Sequence, residues 1–296
     1  MVTMARDLTR LEEAQMAAVL CVGLTTLDVT QRVDDFPVPG QKVRSLDAVL
    51  SPGGPAASAA RAVAALGGRS SLLTALGADA LGEFVRASLN PVQVTAVPGT
   101  TPVSMVVVRD ADGERTVVSR NASVPVTAPD LSGLLAAADV VLLDGHHEGL
   151  VIPVARQAKA LGLPVVLDAG SWKPVLDHLL PLVDVAACAS GFELSEAEVH
   201  SYGVPLVIRT QGAAPVTWSR NGSTGEVPVP AVEVKDTNGA GDVWHGAYAY
   251  ALASGADPVA AIGFASEAAA VRVGAVGNWV ERLARWQDSR SGSKSC

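Results

Sequence analysis

Short apolar, β-branched runs recur along this chain, each followed by an Ala- and Leu-rich stretch of helical length. The runs are AAVLCVGL at 17–24, SLLTAL at 71–76, DVVLLD at 139–144, LPVVLD at 163–168, DVAAC at 184–188 and PLVIR at 205–209. Helices are expected from Gly53-Gly54-Pro55 to about Leu66, and over about 80–89, 150–161, 173–182 and 193–201. Pro suits a first helical position, and Gly67-Gly68 is a fitting stop. Apolar strands separated by helices imply a parallel sheet covered on both faces. The predicted class is α/β, with three α/β/α layers around a mainly parallel sheet. With aromatics at only 4% of residues, Ala, Val and Leu must build its core.

Two stretches break the rhythm. Residues 29–50 have no helical period, and 102–119 hold two alternating runs around Asp110-Ala111-Asp112-Gly113, a hairpin signal. Strands inserted into an α/β pattern often form a separate small sheet. A lid over the active site, built from about 29–50 and 98–120, is the preferred reading, with an oligomer contact as the alternative. The remaining boundaries are a polar extension at 1–15, one domain over 16–286, and a disordered tail at 287–296 (QDSRSGSKSC).

The net charge of −8 argues against a nucleic-acid partner, which would select a basic face. No apolar run approaches the roughly 20 residues that span a bilayer, and the first 15 residues lack the apolar centre of a signal peptide. Cys21, Cys188 and Cys296 have no metal-ligand spacing, and their odd number suggests no disulfide framework. A cytoplasmic setting is expected, with no membrane partner.

The segment KDTNGAGDVWHGAYAYALASG (235–255) concentrates the chemistry. Gly239-Ala240-Gly241 makes a tight turn, and Asp242 opens a long Ala-rich helix. Glycines let successive backbone N–H groups converge, and the helix dipole adds positive potential at the same point. That is an anion hole suited to a phosphoryl group in flight, with a carboxylate beside it to take a proton from an attacking hydroxyl. Alone, the same residues also read as a strand-to-helix turn with Asp242 as a cap. The spacing does not fit GxGxxG, because the next glycine is Gly246, and no Gly-Lys pair forms a P-loop.

Asp236-Thr237-Asn238-Gly239-Ala240-Gly241-Asp242 resembles the DTxGAGD signature of the ribokinase-like, or PfkB, carbohydrate kinases. Gly53-Gly54 with its Ala-rich helix and Leu66-Gly67 resembles the first signature of that family, and Val22-Gly23-Leu24-Thr25-Thr26-Leu27-Asp28 a segment with a hydroxyl-gripping carboxylate. The resemblance covers about 17–285. It implies a ribokinase-like fold with a β lid and an ATP- and Mg²⁺-dependent kinase acting on a small sugar. Asp242 would be the base and Ala240, Gly241 and the Asp242 amide the anion hole, with Gly239 also among the catalytic residues. Asp28, Gly53, Gly54, Ser58, Arg120 and His146 would contact the acceptor. Thr210, Gly212, Thr237 and Asn278 would contact the nucleotide, the stretch about 264–278 would border its adenine, and Glu193 would reach Mg²⁺ through water. A homodimer through the lid is a family-level expectation.

Several positions depart from the pattern. Pro55 and Ser58 stand where the family carries asparagines that contact sugar hydroxyls, and Ser190 replaces the Asn of Asn-x-x-Glu. The Gly-Gly-Pro-Ala-Ala run resembles the sulfofructose-kinase-like or ketohexokinase-like branch, yet Gly145-His146-His147 stands where that branch would place an Arg. Arg44, Arg109, Arg115 and Arg120 in the lid read either as surface charge or as a clamp for an anionic sugar. Asp168 reads as a ligand contact or a helix cap, and Trp244 and His245 as packing residues. A nucleoside kinase and a non-catalytic ligand-binding regulator remain as alternatives. The former would need aromatic stacking around the acceptor.

Overall fold

The computed structural model describes residues 16–121, 124–275 and 277–292; the expected extension at 1–15 lies outside the described residues. In chain order the strands are β1 (Ala18–Val22), β2 (Thr26–Val33), β3 (Asp47–Gly53), β4 (Arg69–Leu76), β5 (Gln93–Pro98), β6 (Val103–Arg109) and β7 (Arg115–Ser119). They continue as β8 (Val140–Leu143), β9 (Val165–Ala169), β10 (Val185–Cys188), β11 (Leu206–Gln211), β12 (Ala214–Arg220) and β13 (Ser223–Val227). The helices are α1 (Pro55–Ala65), α2 (Ala80–Ser88), α3 (Ser132–Ala136), α4 (Glu148–Ala160), α5 (Leu176–Leu179), α6 (Glu196–Ser201), α7 (Ala240–Ala253), α8 (Ala260–Val273) and α9 (Trp279–Gly292).

The large sheet runs β13-β12-β11-β10-β9-β8-β1-β4-β5 and is parallel from β11 to β5. Strand β1 shows why it must be covered twice. All five of its residues are buried. Val19 and Cys21 pack into the layer of α1, α7 and α8, while Leu20 and Val22 pack into that of α4. Strands β12 and β13 extend one edge as an antiparallel hairpin. Asn221 and Gly222 turn it at φ 51° and 77°, the left-handed pair that suits a right-twisted hairpin.

The small sheet, ordered β3-β2-β6-β7, is the expected lid. Its strands begin at Thr26 and end at Ser119, whereas the stretch from 93 to 98 joins the edge of the large sheet as β5. Side-chain alternation gives the lid two unlike faces. Ser51, Asp28, Ser104 and Ser119 form one cross-strand row, and Leu50, Val29, Met105 and Val118 form the neighbouring row. The first row points inward at the site, so the second points out.

Two expectations need correction. The helix expected over 173–182 shrinks to α5 and a 3₁₀ turn at Leu180–Leu182, because Pro174 and Pro181 remove amide donors at either end. The tail expected to be disordered from 287 is helical to Gly292. Leu283 is fully buried, Trp286 packs on Phe264 with centroids 5.5 Å apart, and Gln287 Nε2 donates to Tyr250 OH at 3.3 Å.

Helix α7 lies close on α1 because Gly246 has no side chain. A Cβ there would sit 2.4 Å from the Ala59 carbonyl oxygen. Gly246→Ala is expected to cost about 1–3 kcal/mol by overpacking this crossing, measured as a lower urea midpoint at unchanged slope.

Candidate active site

The turn before α7 is held from three sides. The Lys235 and Asp236 amides both donate to the Val273 carbonyl, at 3.0 and 3.1 Å. Arg272, 5% exposed, donates from Nη2 to Asp236 Oδ2 at 2.8 Å and from Nη1 to the Asp236 carbonyl at 3.3 Å. From the lid, Arg115 Nη1 donates to the Thr237 carbonyl at 2.9 Å and to Thr237 Oγ1 at 3.1 Å. Gly239, at φ 69°, then turns the chain into α7.

Asp242 sits in the first turn of α7, where helix geometry leaves amides without intrahelical acceptors. Among the described residues, no backbone oxygen takes the N–H of Gly241 or Asp242, whereas the Ala240 N–H donates to the Thr237 carbonyl at 3.3 Å. The amides left without a backbone acceptor at this turn are therefore those of Gly241 and Asp242, not that of Ala240.

The turn is also a partition. Gly239 and Asp242 face a polar cavity, and Ala240 and Gly241 face an apolar one. The polar cavity has two lobes that share Asp28, Gly54, Asn238 and Asp242. The larger, about 470 Å³, is lined by Ser58, Arg61, Arg272, Asn278 and Trp279 and by inward lid residues. The smaller, about 300 Å³, is lined by Ser104, Asp144, His146, Asp168 and Lys173. The apolar cavity, about 480 Å³, lies between the end of β11 and helices α7 and α8, with Thr210, Gly212 and Thr237 at its rim and Val216, Ala270 and Val273 on its walls.

Asp28 is fixed by Thr26, whose Oγ1 donates to Oδ1 at 2.6 Å. Burial raises its carboxyl above the ordinary range, opposed by hydrogen bonds from Thr26 and Ser104 and by the charge of Arg61. Gly53 lines neither lobe; it makes room, since a Cβ there would lie 2.1 Å from the Asp28 carboxylate. At the end of β8, Asp144 accepts from the Leu24, Ala56 and His146 amides at 2.7, 3.2 and 2.9 Å, tying the Gly-Gly turn to the sheet. Burial pushes its carboxyl up, but His146 and these amides outweigh that and hold it below the usual range. Asp242 is pushed up to about 7, first by burial and then by the charge of Asp168, with His245 opposing.

Three expected site residues fall elsewhere. Asn278 lies in the larger polar lobe, where its Oδ1 accepts from the Glu281 amide at 3.4 Å and caps α9, so it does not border the apolar cavity. Arg120 follows the end of β7, is exposed and lines neither lobe; of the lid arginines, Arg32 lines the larger lobe and Arg115 reaches Thr237. Glu193 is exposed and accepts from the Trp172 amide at 2.8 Å. Among the described residues no three His, Cys, Asp or Glu side chains group to hold a metal ion by themselves; Mg²⁺ carried by ATP needs only one or two carboxylates beside the phosphates.

The pfkB family carbohydrate kinase profile matches residues 16–279. The chain belongs to the pfkB family of carbohydrate kinases. It is 27% identical over 273 residues to the ribokinase of Bacillus subtilis, covering 87% of this chain and 93% of that one. The structure of Arabidopsis thaliana ribokinase complexed with ribose and ATP superposes with a TM-score of 0.76 at 23% identity, covering 92% of this chain and 99% of that one. A fructokinase with bound ATP from Xylella fastidiosa gives 0.68 at 22% identity, covering 93% and 98%. As a pfkB kinase, this enzyme is an ATP-dependent phosphotransferase with a hydroxyl acceptor.

Within this pfkB kinase, Arg61, Asp144, Lys173 and Arg272 were not singled out from sequence as site residues. Arg61 follows Ser58 by three, so both share one face of α1, and that spacing was a usable signal. Arg272 had none, since its partner Asp236 lies on a different element.

A carboxyl whose folded pKa is raised keeps a proton that the unfolded chain releases. Its stability cost therefore begins near the unfolded value and is complete above about 7. Asp242→Asn is expected to raise Tm at pH 8, by about 2–4 °C for each kcal/mol recovered. The gain should fade as pH drops toward about 4, as followed by calorimetry.

Proposed function

We propose that Asp242 is the catalytic base of this kinase, that the Gly241 and Asp242 amides hold the transferring phosphoryl group, and that the acceptor is a sugar or sugar derivative. One observation supports this above all: the turn from 239 to 242 separates an apolar cavity from a polar one, with Ala240 and Gly241 facing the first and Gly239 and Asp242 the second. A nucleoside base fits the apolar side, with its phosphates led past Thr210, Gly212 and Thr237 to the amides. ATP supplies the phosphoryl group.

The polar side receives the acceptor. Asp28 and Asn238 position its hydroxyls, and Asp242 takes the proton from the one that attacks. The amide dipoles are fixed by the Arg272–Asp236 pair before substrate arrives, so little reorganisation accompanies the build-up of charge. Arg115 docks the lid hairpin on Thr237, beside the phosphate path, and excludes water from both cavities.

The nucleoside alternative gains little. Trp279 is the aromatic residue in the polar lobes, and the Arg61 and Arg272 guanidinium groups already lie 4.9 and 5.9 Å from its centroid. No helix among the described residues is long and apolar enough to cross a membrane, which is compatible with the cytoplasmic setting proposed here.

The test is ADP release with MgATP against ketoses, aldoses, anionic sugars and nucleosides. Sugar-dependent turnover is expected, with Asp242→Asn lowering kcat by about 10²–10⁴-fold. Failure of the variant to lose activity would remove Asp242 as base. Wild-type kcat/KM should fall about tenfold per pH unit below about 7, as a single base is protonated.

The proposal extends to a homodimer through the lid. The outward row contains Leu50, Met105 and Val118, which are 54%, 41% and 71% exposed, across adjacent strands. A second copy would bury this row. Sedimentation should show a dimer for the wild type and a monomer for Val118→Lys.

A further inference from the structure

His245 lies one turn along α7 from Asp242 and is 4% exposed. Its Nε2 is 3.2 Å from the Ala187 carbonyl oxygen, and its Nδ1 is 3.2 Å from Asp168 Oδ2. Asp168 is the next-to-last residue of β9 and is itself 9% exposed. The Nδ1 approach is close without hydrogen-bond alignment, and Nδ1 has no other partner.

The two contacts fix the proton count. A carbonyl oxygen only accepts, so Nε2 carries hydrogen. A neutral ring then presents a bare lone pair at Nδ1, facing a carboxylate oxygen inside the protein. Two lone pairs at that distance repel, and Nδ1 has no other partner to relieve them. The arrangement holds with one proton between them, either on Nδ1 beside a carboxylate or on Asp168 beside a neutral ring. In both forms the pair has no net charge.

We propose that His245 is a positioning residue that neutralises Asp168 and so lets Asp242 release its proton under working conditions. Four carboxylates, Asp28, Asp144, Asp168 and Asp242, line the same polar lobe; Asp28 has its own partners in Thr26, Ser104 and Arg61. If Asp168 stood beside the base as a bare anion, both could not ionise cheaply. Asp144 is compensated by backbone amides and His146, and His245 does the corresponding work for Asp168. The other charged or titratable groups facing the cluster are Arg115 toward Asp242, and Lys173, His146 and the Cys188 thiol toward Asp168. Burial keeps that thiol neutral.

The inference rests on Asp242 being the base, and the test separates the two. The acid limb of the kcat/KM profile is measured for wild type, His245→Asn, Asp168→Asn and the double variant, with the sugar that the wild type turns over. His245→Asn keeps a donor but removes the ring nitrogen that shares the proton with Asp168, so the limb should move up by about 1–3 pH units. Activity should approach the wild-type value at the alkaline end. The double variant restores a neutral site, so its limb should return to the wild-type position whatever its absolute rate. A uniform loss at every pH, an unmoved limb, or no return in the double variant would overturn the proposal. If His245→Asn does not fold, Asp168→Asn decides alone: its limb should stay or move down, and an upward move overturns it. Retention of activity by Asp242→Asn would instead overturn the base assignment itself.

Discussion

Arg272 reaches from the end of α8 to grip Asp236 by both its side chain and its carbonyl, in a site where both partners are largely buried. A buried ion pair of this kind contributes little net stability over an apolar substitute, yet leaving either partner alone costs about 3–5 kcal/mol. What the pair provides is position. It fixes the residue that precedes the 237–241 turn, and the turn sets the direction of the first amides of α7. The partition between the cavities follows from that direction. The whole proposed reaction centre thus hangs on one guanidinium that is bonded to Asp236 and not to Asp242.

The lid repeats the same economy in a sheet. A period of two places Asp28 and three serines on one face and an apolar row on the next. Asp28 therefore enters the site as part of a strand register, not as a loop residue free to adjust. Its geometry depends on Gly53 directly across from Thr26, because any side chain there would occupy the space of the carboxylate. The Gly-Gly turn and the lid carboxylate are one device, although they lie on different strands.

Most of this was legible in the sequence where the signal is local. The strand runs, the 235–255 segment and the Asp110–Gly113 hairpin announce themselves within a few residues, because turn chemistry and periodicity act at that range. The Asn221-Gly222 pair was equally local and marks a hairpin that the apolar runs alone do not show. Placements made by long-range packing were not legible. Asn278 sits near the expected adenine wall in sequence, but the start of α9 carries it into the polar lobe. Arg115 and Arg120 look alike on paper, and only the end of β7 decides that the first reaches Thr237. The Asp168–His245 contact joins the central strand of the large sheet to a helix, and neither residue carries a mark of the other.

Burial acts on the centre in two opposed ways. Excluding water strengthens the Gly241 and Asp242 amides as donors to a developing anion. The same exclusion raises the Asp242 carboxyl and withholds the ionised form that its proposed role as base needs. A base with a pKa near the working pH is the compromise that favours proton transfer, since a more acidic carboxyl would be ionised but too weak to draw the proton. Environment, not residue type, sets that balance: Asp144, Asp168 and Asp242 share one lobe, yet the amides around Asp144 hold it low while Asp242 is pushed high. The division of labour among three identical side chains is therefore written in which backbone and ring nitrogens face each of them.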